Sequence, residues 1–131
     1  MLVYRHASAL IKEIEEGRKG FKTGFYEYFE RNERQIGSQT NRLYSVAINV
    51  YKRMEDIDTA IVRVIQEPVK DKHMLMVLIH EGAIMDEKLK IGGKLASMVK
   101  KYKAELQAVL GKADKQEKEQ WLYIRPNTHK E

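Results

Sequence analysis

The sequence predicts an all-α protein, a helical bundle of about six helices with a strand-like segment left over at its C-terminal end. Two observations lead there. Apolar residues recur at three- and four-residue steps through successive segments that glycine and proline punctuate, and strand-type residues cluster only once, at Trp121 to Ile124. At 131 residues, with 43% hydrophobic and 33% charged side chains and two prolines, the chain suits one hydrophobic core and is too rich in core formers for a disordered tail.

Val3, Ala7, Leu10, Ile11 and Ile14 lie on one side of a first helix over residues 2–16, which the pair Gly17 and Gly20 ends. Phe21, Phe25, Tyr28 and Phe29 repeat that spacing in a second helix over 21–33, where Gly24 costs roughly 1 kcal/mol against alanine. A third helix follows Thr40 or Asn41 as N-cap, with Leu43, Val46, Ala47, Val50, Tyr51 and Met54 as its apolar stripe. Asp56 or Asp58 is the expected cap of a fourth, whose buried side is Ile57, Ile61, Val64 and Ile65 and which Pro68 stops. Asp71 opens a fifth. Its run Met74 to Ile79 is apolar all round, which places it at the centre of the core. Gly92 and Gly93 precede a sixth helix with Leu95, Met98, Val99, Tyr102, Leu106, Val109 and Leu110 on one arc, closed by Gly111.

Residues 1–111 therefore read as a helical domain, 112–120 as a charged linker and 121–131 as the first strand of a region outside this chain. A lone strand has no partner for its backbone groups, so the chain reads as cut soon after a domain boundary.

The chemistry open to the chain is narrow. Without cysteine there is no disulfide, thiolate metal site or thiol nucleophile. His6, His73, His80 and His129 lack metal-ligand spacing, and the His80-Glu81 pair lacks the second histidine of a zinc hydrolase. Gly92-Gly93 has no preceding strand to make it a phosphate-cradling loop. Ser8, Ser38, Ser45 and Ser97 have no nucleophile motif around them, and Glu15-Glu16 lies on the polar side of the first helix. No catalytic, metal or cofactor residues are assigned. The methionines Met74, Met76, Met85 and Met98 fit core filling, and Tyr26 is the aromatic left free to stack on a base. The longest apolar run is far short of the roughly 20 residues of a membrane span, and no secretory signal is visible, so an intracellular location is expected.

The net charge of +5 is uneven. Between Asp86 and Lys103 six lysines stand against two acidic residues, a net +4. On a helical projection Lys94, Lys101 and Lys112 fall within about 20° of one another, and Lys90 joins them if the helix begins early. Such a stripe suits a phosphate backbone, although Glu105 projects onto the same line and lysine stems also cover helix flanks. Lys90, Lys94, Lys101, Lys112, Arg125 and Lys130 are the candidate RNA-binding residues.

Two stretches bear on function. The opening Met1 to Gly17 (MLVYRHASALIKEIEEG) resembles the start of the Nop/Sun-family RNA cytosine-5 methyltransferases, in the eukaryotic branch that modifies large-subunit ribosomal RNA. The closing Trp121 to Lys130 (WLYIRPNTHK) is similar to the strand that introduces that family's catalytic part, with Pro126 in place of a branched residue and His129 in place of a leucine. Between them Leu43 to Tyr51 and Leu75 to Glu81 follow the order of helices in the family's N-terminal domain. The resemblance implies an accessory domain that holds ribosomal RNA or a preribosomal particle in the nucleolus. Its catalytic domain, with the cysteine nucleophile and the S-adenosylmethionine site, would lie downstream, and no cofactor would bind here. The alternative is a stand-alone helical protein–protein interaction module.

Overall fold

The computed structural model describes residues 2–89 and 93–111; the expected linker and strand, and with them Lys90, Lys112, Arg125 and Lys130, lie outside the described residues. Those residues form six α-helices: α1 (Leu2–Gly17), α2 (Phe21–Ile36), α3 (Thr40–Lys52), α4 (Met54–Val64), α5 (Lys72–Ile79) and α6 (Lys94–Leu110). No strand occurs among them. The all-α bundle is the observed fold.

α1 packs on α5, α3 and α2, so its stripe of Ala7, Leu10, Ile11 and Ile14 is removed from water. Its end differs from expectation. Arg18, rather than a glycine, takes the left-handed conformation (φ 53°), and Lys19 N–H donates to the Ile14 carbonyl at 3.2 Å, closing the last turn. The α1–α2 crossing is close at Gly24, where a Cβ would lie 3.0 Å from Ile14 Cδ1 and nearer still to Cγ1. The glycine that seemed a cost to the second helix is thus a packing requirement.

α2 runs three residues further than the spacing implied. Asn32 leaves helical geometry (φ −125°, ψ 17°) while its side-chain amide donates to the Tyr28 carbonyl at 2.9 Å, competing with the backbone ladder. Beyond that kink the helix continues to Ile36, which is buried. A 3-10 turn over Gly37–Gln39 leads directly into α3, so neither Thr40 nor Asn41 caps it; the Thr40 hydroxyl donates back to the Gly37 carbonyl at 2.8 Å. Only Arg53 separates α3 from α4, Met54 belongs to α4, and no side chain caps either helix start. Asp56 sits in the first turn of α4 and Asp58 pairs with Lys72 at 3.2 Å, so neither carboxylate caps as expected.

The Asp71 cap holds. Its side chain accepts from the Met74 N–H at 3.1 Å, and Leu75 to Ile79 are all buried against α1, α3, α4 and α6. At roughly 1.5–3 kcal/mol per large apolar side chain buried, this one helix carries a major share of the core. It then loosens into a π-helical turn, His80–Ile84, which periodicity did not announce. The wider turn places His80 and Glu81 both inside, with His80 Nδ1 2.9 Å from Glu81 Oε2 and Arg42 3.9 Å from Glu81 Oε1. The Tyr4 hydroxyl is pushed above its usual range by burial and then by the Glu81 charge.

His6 is a core histidine. It lies against Tyr28, with Nδ1 2.6 Å from the Tyr28 hydroxyl, while Nε2 is buried without a partner. On α6 the arc is buried from Met98 to Leu106, but Val109 is 43% exposed. Arg53 caps that end by donating to the Leu110 carbonyl at 2.8 Å.

Candidate functional site

The lysine-rich segment is displayed on α6 and on the loop before it. Gly93, at φ 107°, turns the chain into α6 where a side chain would be strained, and its carbonyl accepts from the Ser97 N–H at 3.1 Å. Lys94, Ser97, Lys100, Lys101, Ala104 and Ala108 are all exposed. At about 100° per residue, Lys94 and Lys101 share one edge of this solvent arc and Lys100 and Lys103 the other. Ser97, Ala104 and Ala108 project between them. Small side chains flanked by two rows of amines leave room for an anionic chain to lie along the helix.

Not every amine is available. Lys101 Nζ donates to Glu67 Oε2 at 2.9 Å, and the Tyr102 hydroxyl donates to the same oxygen at 2.9 Å. These two hydrogen bonds, Lys101 first, hold the Glu67 carboxyl below its usual range, and the same pairing raises Lys101. Glu67 reaches α6 because Ile65 leaves α4 in extended geometry, stays buried as an anchor, and is followed by Pro68, which forbids further helix. Lys103 pairs with Asp86, the residue after the π-turn and Met85, in left-handed geometry at φ 57°. Among the described residues Lys88, Lys94 and Lys100 make no ion pair.

On the second edge a cleft of about 280 Å³ opens between the π-turn and α6, lined by Gly82, Asp86, Lys88, Leu89, Lys100 and Lys103 among others. Gly82 permits the approach of the two elements: a Cβ there would stand 3.0 Å from Val99 Cγ1. Three lysines against Asp86 and Glu87 give the cleft mouth a positive balance.

Of the candidate residues, Lys94 and Lys101 are brought together on one edge of α6, and the other four lie outside the described residues. The sequence sets Glu105 on the line of the stripe and counts Asp86 among the acids of the segment, but helical spacing reveals neither the pairing of Asp86 with Lys103 nor Glu67, which comes from another element. The stripe also leaves out Lys88 and Lys100; extending the same helical projection around α6 would have found the second edge. Among the described residues no group of three or more His, Asp or Glu side chains stands close enough to hold a metal ion. No described helix is long and apolar enough to cross a membrane. Tyr26, the aromatic singled out for base stacking, is 71% exposed on α2. No family model, curated protein or solved structure matches the chain.

Proposed function

We propose that the chain is a non-catalytic, helical RNA- or preribosome-binding domain of an S-adenosylmethionine-dependent ribosomal RNA cytosine-5 methyltransferase, acting in the nucleolus beside a catalytic domain that follows it. The observation that carries this is the solvent arc of α6, two rows of lysines with small side chains between them, in the segment that holds most of the net positive charge. The resemblance of the first and last stretches to the Nop/Sun family supports the choice of RNA over other polyanions. The catalytic cysteine and the methyl donor belong to the following domain, since this chain has no cysteine to attack a pyrimidine ring.

The test is fluorescence anisotropy of a labelled, structured large-subunit ribosomal RNA fragment across a salt series. Binding should weaken with salt at a log–log slope of roughly 0.7–0.9 per phosphate contact. The triple variant Lys88→Glu, Lys94→Glu, Lys100→Glu should lose binding with little change in melting temperature, because exposed lysines contribute little to stability. Lys12→Glu, Lys22→Glu, Lys52→Glu, an equal charge reversal at exposed positions elsewhere, should weaken binding far less. Equal loss from both triples would reduce the effect to net charge. No binding by the wild-type chain at low salt would replace the proposal with a protein–protein interaction module.

A further inference from the structure

Glu67 sits on α6 as a ligand sits in a site. A single carboxylate oxygen accepts from both Lys101 Nζ and the Tyr102 hydroxyl, each at 2.9 Å, and Lys94 adds its charge from two turns nearer the helix start. Lys101 Nζ also lies 5.2 Å from the centre of the Tyr102 ring, which fixes the amine beside the hydroxyl. An ammonium and a phenol converging on one anionic oxygen recognise oxyanions in general, and a phosphate oxygen accepts the same two donors. Glu67 comes from the connection between α4 and α5, so its carboxylate leaves without breaking a helical turn. Lys101, with 65% of its side chain exposed, is open to an incoming anion from solvent.

We infer that Lys94, Lys101 and Tyr102 form an oxyanion site for a phosphate group, which Glu67 occupies in the free protein as an intramolecular competitor. With the RNA-binding proposal as its basis, the phosphate is one of the RNA backbone, and Glu67 sets how tightly this edge of α6 holds it. A phosphate that displaces Glu67 gains both donors, and its cost is the release of one carboxylate into water.

The experiment compares wild type, Glu67→Gln, Lys101→Ala, the double variant, and Glu16→Gln as an equal change of charge at an exposed position on α1. With the labelled RNA fragment at about 0.15 M salt, Glu67→Gln should tighten binding up to about five-fold, because the phosphate no longer has to displace an exposed Lys101–Glu67 pair. Glu16→Gln should tighten it by less than about two-fold, since screening at that salt reaches across only about 8 Å. In the Lys101→Ala background, Glu67→Gln should change little. An equal gain from Glu16→Gln, or a gain that survives without Lys101, overturns the inference while leaving RNA binding intact. In parallel, inorganic phosphate is titrated into 15N-labelled protein: saturable amide shifts at Lys94, Lys101 and Tyr102 should appear at lower phosphate in Glu67→Gln than in wild type. If no variant binds RNA, the functional proposal fails and this titration alone decides the site. Saturable shifts then keep it with free phosphate as its ligand, and none overturns it.

Discussion

Replacing Gly24 with alanine sets two opposed effects on one residue. Alanine is about 1 kcal/mol better than glycine inside a helix, so local propensity favours the change. Against it, the new methyl group would enter the space of Ile14, standing 3.0 Å from Cδ1 and closer to Cγ1. Ile14 is 1% exposed and β-branched on a helix, so it has few other rotamers, and α1 is held from other sides by α3 and α5. Overpacking of this kind costs about 1–3 kcal/mol, and here it should outweigh propensity to leave a net loss of about 1 kcal/mol, or roughly 4 °C in melting temperature at this chain length. Thermal and urea unfolding followed by far-ultraviolet circular dichroism measure it. The decisive arm is a double-mutant cycle. Ile14→Ala alone should cost about 2–5 kcal/mol, but once Cγ1 and Cδ1 are gone, Gly24→Ala should become stabilising by about 1 kcal/mol. A rise in melting temperature from Gly24→Ala in the wild-type background would refute the close crossing of α1 and α2.

Two other outcomes follow from buried polar contacts. Burial holds the His6 imidazole below its ordinary value of 6.5, so below that pH the unfolded chain binds a proton that the folded chain resists. Its contribution is therefore complete above about pH 6.5 and is lost as pH falls through the lowered value; melting temperature should drop less between pH 7 and about pH 5 in His6→Gln than in wild type, and equal drops would exclude His6 as a source. Arg53→Ala removes the donor to the Leu110 carbonyl and should cost about 1–2 kcal/mol, with faster amide hydrogen exchange confined to the last turn of α6; unchanged exchange there would show that the contact does not hold that end.

What periodicity reveals is the face an element buries, and it served well here for α1, α3 and α6, where one arc meets the core, while the lack of a polar face in the Met74 to Ile79 run marked α5 as central. It is weaker at boundaries, because ends are decided by contacts from elsewhere. Asp58 was a plausible cap by position, yet it pairs with Lys72 of α5, and α4 starts at Met54 directly after a single non-helical residue. The kink at Asn32 accompanies a side-chain amide bonded to its own backbone, and the π-turn at His80–Ile84 brings two polar residues inside together. Neither leaves a mark in apolar spacing. Gly24 shows the same limit from the other side: its local cost was plain in the sequence, while its use depends on Ile14, ten residues earlier and on another helix.

The candidate site follows the same division between what one element determines and what its neighbours decide. Helical spacing suffices to align Lys94 with Lys101, and the structure does bring them to one edge. Whether an aligned lysine is an open charge depends on residues that spacing does not connect to it. Glu67 neutralises Lys101 from the α4–α5 connection and Asp86 neutralises Lys103 from the turn after α5, whereas Lys88, Lys94 and Lys100 keep theirs. The five described lysines of the segment are thus not equivalent, and affinity for a polyanion should track the open amines rather than the net charge.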